Sequence, residues 1–237
     1  MTQHSAAAQH YDLLYRGKDY RGEAALVTRV IRSRAPLART LLDVACGPGG
    51  HAVHFAADHG FRTDGIDIEP LFVERARATH PAGTFHCADM RRFDLGGTFD
   101  AVVCLFGSIG YVRDEPGLRQ AIAAMARHLA PGGVMIVEPW FEPGAMQDGY
   151  VTCLTGEGSG VHVCRMSRTE VGARVSILHF EYLIARPGGI DRISERHELG
   201  LFTRGQTEEA IRAAGLTVEF DAQGPIGRGL YIACHRT

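Results

Sequence analysis

The sequence predicts an α/β fold in which a doubly wound, mostly parallel sheet carries helices on both faces, with an antiparallel insert after the fifth strand. Three observations predict it. Short apolar runs alternate with helical patterns through the first 140 residues. A glycine cluster, CGPGG, joins the first apolar run to a helix, and period-two stretches replace the alternation after Trp140. The 237 residues are 45% hydrophobic and 22% charged, which suits one large domain or two small ones. No proline- or serine-rich linker divides them, so 1–237 reads as one domain and 150–201 as an insert that supplies substrate-binding surface.

Residues 5–35 read as helical with a break at RGKDY. TLLDVAC (40–46) is a short buried strand, and the glycines after it open a helix over 50–59. FRTDGIDI is the second strand, followed by a helix starting near Pro70, a good first-turn residue. TFHCADM and FDAVVCLFG are the third and fourth strands, a helix over 115–129 ends at APGG, and VMIVEPW is the fifth strand. RVSILHFEYLIA typifies the insert, whose alternation suits antiparallel strands exposed on one face. A helix over 205–214 ends at Gly215, and TVEFDAQ and GLYIACHRT complete the sheet.

A formal net charge of −2 and no basic cluster argue against nucleic acid as a partner. No run of eighteen apolar residues predicts a membrane span. The stretch MTQHSAAAQHYDLLYRGKDY lacks the basic and apolar regions of a signal peptide, so the expected location is the cytoplasm. Six cysteines without a CxxC pair, and twelve histidines without HxH or HExxH, lead to no expected metal.

In LLDVACGPGGHA, Asp43, Ala45, Gly47 and Gly49 alternate at a strand end, where glycines let a cofactor approach the main chain. Asp67 follows Gly47 by 20 residues at the end of the second strand, the spacing at which a carboxylate accepts the hydroxyls of an adenine ribose. Gly47, Gly49 and Ala52 also satisfy GxGxxA, so a dinucleotide stays open at this point. The third strand, however, ends in Ala88-Asp89-Met90. Carboxylates at Asp43, Asp67 and Asp89 suit a cofactor with an ammonium, a sulfonium and no phosphate, whereas a pyrophosphate wants helix N–H groups free of nearby acids.

LLDVACGPGG, GIDIE, ADMRRFDL, FDAVVCLFGSIGYV, LAPGGVMIVEPW and GLTVEF together resemble a class I methyltransferase over nearly the whole chain. The resemblance implies a Rossmann-like seven-stranded sheet and S-adenosyl-L-methionine as cofactor. More narrowly, YDLLYRGKDY, EPWF, LFTRGQ and GPIGRGL resemble the N,N-dimethyltransferases that finish nucleotide-linked amino sugars such as desosamine and mycaminose in macrolide antibiotics. That likeness implies that Asp67 holds the ribose and Asp89 accepts from the adenine amino group, with Ile68 and Met90 against the ring. Leu105, or the backbone beside it, would meet the methionine end, and Tyr11 and Tyr20 would fold over the cofactor. The loop reads GPGG where the family usually has GTGT, so Pro48 removes one N–H and Gly50 one side chain.

For the acceptor, the resemblance implies a dTDP-linked amino-deoxysugar that is N,N-dimethylated. Tyr111, after FGSIG, lies where the reacting nitrogen is expected, at a position that carries Tyr or His in related enzymes. His179 in SILHFEYL is a second candidate for the chemistry, or else a paired histidine on a sheet face. Arg228 in GPIGRGL is expected to grip the diphosphate, its glycine neighbours leaving the fork unobstructed. Tyr20 and Trp140 are further candidates for the substrate pocket, Trp140 being equally suited to packing beneath the insert. Another small acceptor (an amino acid or a phenolic or polyketide intermediate) and an NAD-binding oxidoreductase stay open, as does a homodimer.

Overall fold

Successive residues of the central strands are buried on opposite sides of one sheet. In the computed structural model, which describes residues 5–236, the chain begins with helices α1 (Ser5–Leu14) and α2 (Tyr20–Arg34). The first four residues of the N-terminal stretch and the last residue of the 1–237 span lie outside that description. The alternation then runs β1 (Thr40–Val44), α3 (Gly50–Ala57), β2 (Arg62–Asp67), α4 (Pro70–Thr79), β3 (Phe85–Cys87), β4 (Phe99–Cys104), α5 (Glu115–Arg127) and β5 (Leu129–Val137). Four long strands follow, β6 (Val151–Gly158), β7 (Val161–Val171), β8 (Val175–Arg186) and β9 (Gly189–Gly200). The chain closes with α6 (Arg204–Ala213), β10 (Leu216–Asp221) and β11 (Leu230–His235).

Leu41, Val103, Val134 and Ile136 meet Val27 and Ile31 of α2 and Phe55 of α3 on one face. Leu42, Val102, Met135 and Val137 meet Leu118, Ile122 and Met125 of α5 and Ile211 of α6 on the other. A strand covered on both sides has no polar face, which is why these strands read as unbroken apolar runs. The order is β10-β11-β5-β4-β1-β2-β3, with only β11 antiparallel to its neighbours. β1 pairs in parallel with both β2 and β4. The chain leaves β1 toward one edge and β4 toward the other, so a crevice opens at the carboxyl ends of these strands, where open α/β sheets bind ligands.

The seven-stranded sheet with its antiparallel insert is the predicted architecture, with two local differences. β3 ends at Cys87, so Ala88-Asp89-Met90 is irregular chain leading into a turn and not strand. β5 begins at Leu129, because Pro131-Gly132-Gly133 bulges out and the pairing with β4 resumes at Ala101↔Val134. It stops at Val137, so Glu138 and Trp140 project past the carboxyl end of the sheet.

β6 to β9 form a separate antiparallel meander. Val163, Arg165, Phe180, Tyr182, Ile184, Glu195 and His197 are buried on its inner face, and Leu13, Leu14 and Tyr15 at the end of α1 pack onto the apolar part of it. Pairing of Leu178 with His197 fixes the register, so His197 faces inward while the odd-numbered residues of β8, His179 among them, face outward. No helix among the described residues is long and apolar enough to cross a membrane.

α1 can lie on β6 because Gly156 has no side chain: a Cβ there would stand 2.4 Å from the Leu13 carbonyl oxygen. Gly156→Val is therefore expected to lift α1 from the insert. Hydrogen exchange in residues 5–14 should rise toward that of a freely opening segment while the sheet strands keep their protection. Unchanged protection of α1 would contradict this packing.

Candidate active site

Two loops with left-handed backbone flank the crevice. After β1, Ala45, Gly47 and Gly49 have φ of 60°, 55° and 86°, and after β4, Phe106 and Gly107 have φ of 58° and 70°. Ala45 and Phe106 hold this conformation at a steric cost, a pattern that concentrates at functional sites. Asp67 ties the first loop to β2, its two oxygens accepting from the N–H groups of Gly47 at 2.8 Å and Glu69 at 2.9 Å. Asp43 is also buried, and its Oδ2 has no hydrogen-bond partner. Burial, then the negative charge of Asp67, pushes its carboxyl up to about 8. Burial likewise raises Asp67 to about 6, against the pull of its backbone donors.

This donor set fits a cationic ligand. Asp43 offers an unused buried acceptor, and Asp67 retains acceptor capacity for ribose hydroxyls beside its two backbone bonds. A ligand with an ammonium and a sulfonium would return both acids to their ionised forms, whereas a pyrophosphate on the same loop would add negative charge to them. Leu105 is buried just past β4, Ile68 is 57% exposed just past β2, and Met90 is half-buried. Asp89 sits differently from expectation. Arg91 holds both of its oxygens, Nε to Oδ1 at 3.0 Å and Nη2 to Oδ2 at 2.6 Å, and keeps the carboxyl below the usual range. An adenine amino group would have to share Asp89 with Arg91.

The N-terminal tyrosines pack together beside the glycine loop. The Tyr20 and Tyr11 hydroxyls lie 3.3 Å apart, and Tyr15, which sequence reasoning passed over, meets Tyr11 in a tilted contact at 4.4 Å and Phe106 edge-on at 5.7 Å. The Tyr20 ring explains the departure at Gly50, where a Cβ would stand 2.8 Å from it. Lys18 is paired with Glu23, whose other oxygen meets His51 Nε2 at 2.7 Å, so the carboxylate fastens α2 to α3 and holds this cation. A cavity of about 600 Å³ opens between Tyr15, Lys18, Glu23, Phe106 and Ile226, joining this cluster to the loop ahead of β11.

Tyr111 lies in a 3-10 turn, Ser108–Val112, and keeps 40% of its surface open. Its Oη is 2.9 Å from Nδ1 of His197, and Nε2 of His197 is 3.1 Å from Glu195. The histidine beside Tyr111 is thus His197 and not His179. His179 points away on the outer face and pairs with Glu170 at 2.9 Å. Surrounding protein, then the Tyr15 and Tyr182 phenols, hold the Tyr111 phenol well above the ordinary tyrosine range, and Asp67 is close enough to add to the effect. Arg165, also unforeseen, is buried with its guanidinium 4.4 Å from the Phe180 ring centroid and bonds the Tyr15 hydroxyl at 3.2 Å.

Arg228 does not have the unobstructed fork expected of it. Its Nη2 bonds buried Glu138 at 2.9 Å, its guanidinium lies 5.2 Å from the Trp140 ring, and its Nε is buried without a partner. The other oxygen of Glu138 accepts from Phe106 N–H at 2.6 Å, so one carboxylate fixes both the β4 turn and Arg228. An acid ending an apolar strand is the signal that drew attention to Asp43, and it would have found Glu138 too. Trp140 bridges the two sheets, donating from Nε1 to Ser176 in the insert at 2.9 Å.

Residues 41–133 match the model of a methyltransferase domain. Over 228 residues, 95% of this chain and 96% of the relative, the sequence is 41% identical to dTDP-3-amino-3,4,6-trideoxy-alpha-D-glucopyranose N,N-dimethyltransferase of Streptomyces venezuelae. The fold is similar to the X-ray structure of the sugar N-methyltransferase KedS8 from Streptoalloteichus sp ATCC 53650, with a TM-score of 0.90 and 42% identity, covering 96% of this chain and 93% of that one. It is also similar to S-adenosylmethionine-bound CalS10, an amino pentose methyltransferase from Micromonospora echinaspora involved in calicheamicin biosynthesis, with a TM-score of 0.82 and 39% identity over 93% of each chain.

The raised carboxyl of Asp43 has a consequence for stability. An unfolded aspartate titrates near ~3.9, while the folded one titrates at about 8. The folded chain therefore keeps a proton that the unfolded chain loses, and stability falls as pH rises through that window and stays low above it. Asp43→Asn is expected to raise the melting temperature of the ligand-free protein, and to raise it more at about pH 9 than at about pH 6. The difference should be at least about 2–4 °C, the shift for ~1 kcal/mol in a chain of this size. Calorimetric melting at the two pH values checks it, and equal gains would contradict a neutral Asp43.

Proposed function

The chain belongs to the S-adenosylmethionine-dependent N,N-dimethyltransferases of amino sugars, and on that premise we propose that it methylates, twice, the amino group of a dTDP-linked amino-deoxysugar. The observation that carries this reading is the Tyr111 hydroxyl, which is tied to His197 of the insert at 2.9 Å and lies close enough to Asp67 to feel its charge. S-adenosylmethionine supplies an electrophilic methyl group on a sulfonium, so the protein needs no covalent nucleophile. Its own residues do the positioning. Holding the amine in a near-attack arrangement supplies about 7–11 kcal/mol of the barrier reduction.

Asp43 and Asp67 hold the charged end and the ribose, Leu105 backs the methionine end, and Ile68 and Met90 meet the adenine, with Asp89 shared between it and Arg91. Tyr11 and Tyr20 close over the site, where an aromatic face stabilises a neighbouring cation by roughly 0.5–2 kcal/mol. The acceptor must arrive neutral, although a free amine titrates near ~10.4. Desolvation beneath Tyr11 and Tyr20 and the buried Arg165 cation both favour the uncharged form. Tyr111 accepts from the amine N–H and aims the nitrogen lone pair. Arg228 keeps an unused Nε–H for the diphosphate, and Trp140 walls the sugar. The setting fits a cytoplasmic step in antibiotic biosynthesis.

With S-adenosylmethionine and a dTDP-amino-deoxyhexose, mass spectrometry should show one and then two methyl additions, and none on the sugar without its nucleotide. Tyr111→Phe should lower kcat about 10- to 100-fold with cofactor affinity unchanged. Methylation of an amino acid or a phenol in place of the nucleotide sugar would overturn this reading.

A further inference from the structure

We propose that His197 and Glu195 are positioning residues that set the direction of the Tyr111 hydroxyl and so decide whether it helps or hinders the attacking amine. The inference rests on the reading of Tyr111 given above and extends it to two residues outside the cofactor site.

Glu195 and His197 stand two residues apart on the inner face of β9, both more than nine-tenths buried. An ionised carboxylate only accepts hydrogen bonds, so at 3.1 Å from Glu195 the Nε2 of His197 is the donor. With Nε2 given to Glu195, a neutral imidazole has its lone pair on Nδ1, and in that state the Tyr111 hydroxyl 2.9 Å away donates to it. The phenol proton is committed to the insert, and the acceptor side of the oxygen is what meets an incoming amine.

The alternative orientation is chemically opposite. A phenol free to rotate can donate to the amine lone pair, the electrons that form the new C–N bond, and lower its nucleophilicity. The Glu195–His197 pair removes that option. Phe180 holds the imidazole at 4.8 Å between ring centroids, and the Tyr111 ring meets it at 5.9 Å and 64°, so the geometry is fixed by packing on both sides. Glu195 fixes the tautomer of a working imidazole in the way a buried carboxylate orients a catalytic histidine.

A double-mutant cycle tests this. His197→Phe keeps the volume and removes the acceptor, and should lower kcat about tenfold, the kinetic equivalent of one lost hydrogen bond, with little change in KM. In a Tyr111→Phe background the same substitution should cost less than about twofold, because its route of action is gone. His197→Asn, whose amide oxygen can stand near the Nδ1 position, should retain activity within about threefold. Should His197→Phe fail to fold, judged by melting and by S-adenosylhomocysteine affinity, Glu195→Gln reads the same pair and should lose rate only when Tyr111 is present. Equal costs of the His197 or Glu195 change in both backgrounds would overturn the proposal, marking the pair as merely structural. A Tyr111→Phe enzyme running at the wild-type rate would instead overturn the reading of Tyr111 on which the proposal rests.

Discussion

Asp43 and Asp67 are buried at the carboxyl ends of adjacent parallel strands, and the charge that acts on Asp43 is the negative charge of Asp67. Two acids so placed cannot both ionise without a counter-charge, because burial removes water and proximity adds repulsion. The sheet nevertheless delivers them there, since β1 must pair with both β2 and β4 and its end must open into the crevice between them. The loops around them bear the consequences. Ala45 and Phe106 take left-handed backbone, and Asp67 spends a hydrogen bond on each flanking amide to keep its loop in place. In the proposed function, a bound cation relieves this repulsion.

The rest of the molecule closes that arrangement from outside. α1 lies on the insert, and its tyrosines reach over the glycine loop to Phe106. Glu138 holds the β4 turn and Arg228 with one carboxylate, and Trp140 joins the turn to the insert through Ser176. The insert contributes a polar inner face of Arg165, Glu195 and His197 that meets Tyr111. In the proposed reaction, sheet and insert divide the work, the sheet holding negative charge for the donor and the insert directing hydrogen bonds at the acceptor.

Much of this was legible in the residues for a physical reason. Parallel strands buried on both faces have to be apolar throughout, so TLLDVAC and FDAVVCLFG announce themselves, and an aspartate ending such a run is conspicuous. The insert was harder. Its inner face carries charged residues and its outer face carries Ile190 and Met166, so hydrophobicity does not set the phase of the strands, and the sequence points to His179 while offering no signal for His197. One residue of register separates them, and only the pairing of Leu178 with His197 decides it. The pairing of Arg228 is not legible in GPIGRGL because its partner Glu138 lies 90 residues away, and the fork that Arg91 closes on Asp89 depends on a local turn that the residue pattern does not announce.

The central claim is that a cationic cofactor turns a protonated Asp43 into an ionised one. Calorimetric titration with S-adenosylmethionine near pH 7, repeated in buffers of different ionisation enthalpy, counts the protons exchanged on binding. With Asp43 titrating at about 8 in the free protein, binding should release close to one proton, and the release should vanish in Asp43→Asn. Binding with no proton release in the wild-type protein would mean that Asp43 is already ionised before the cofactor arrives, and would contradict the account.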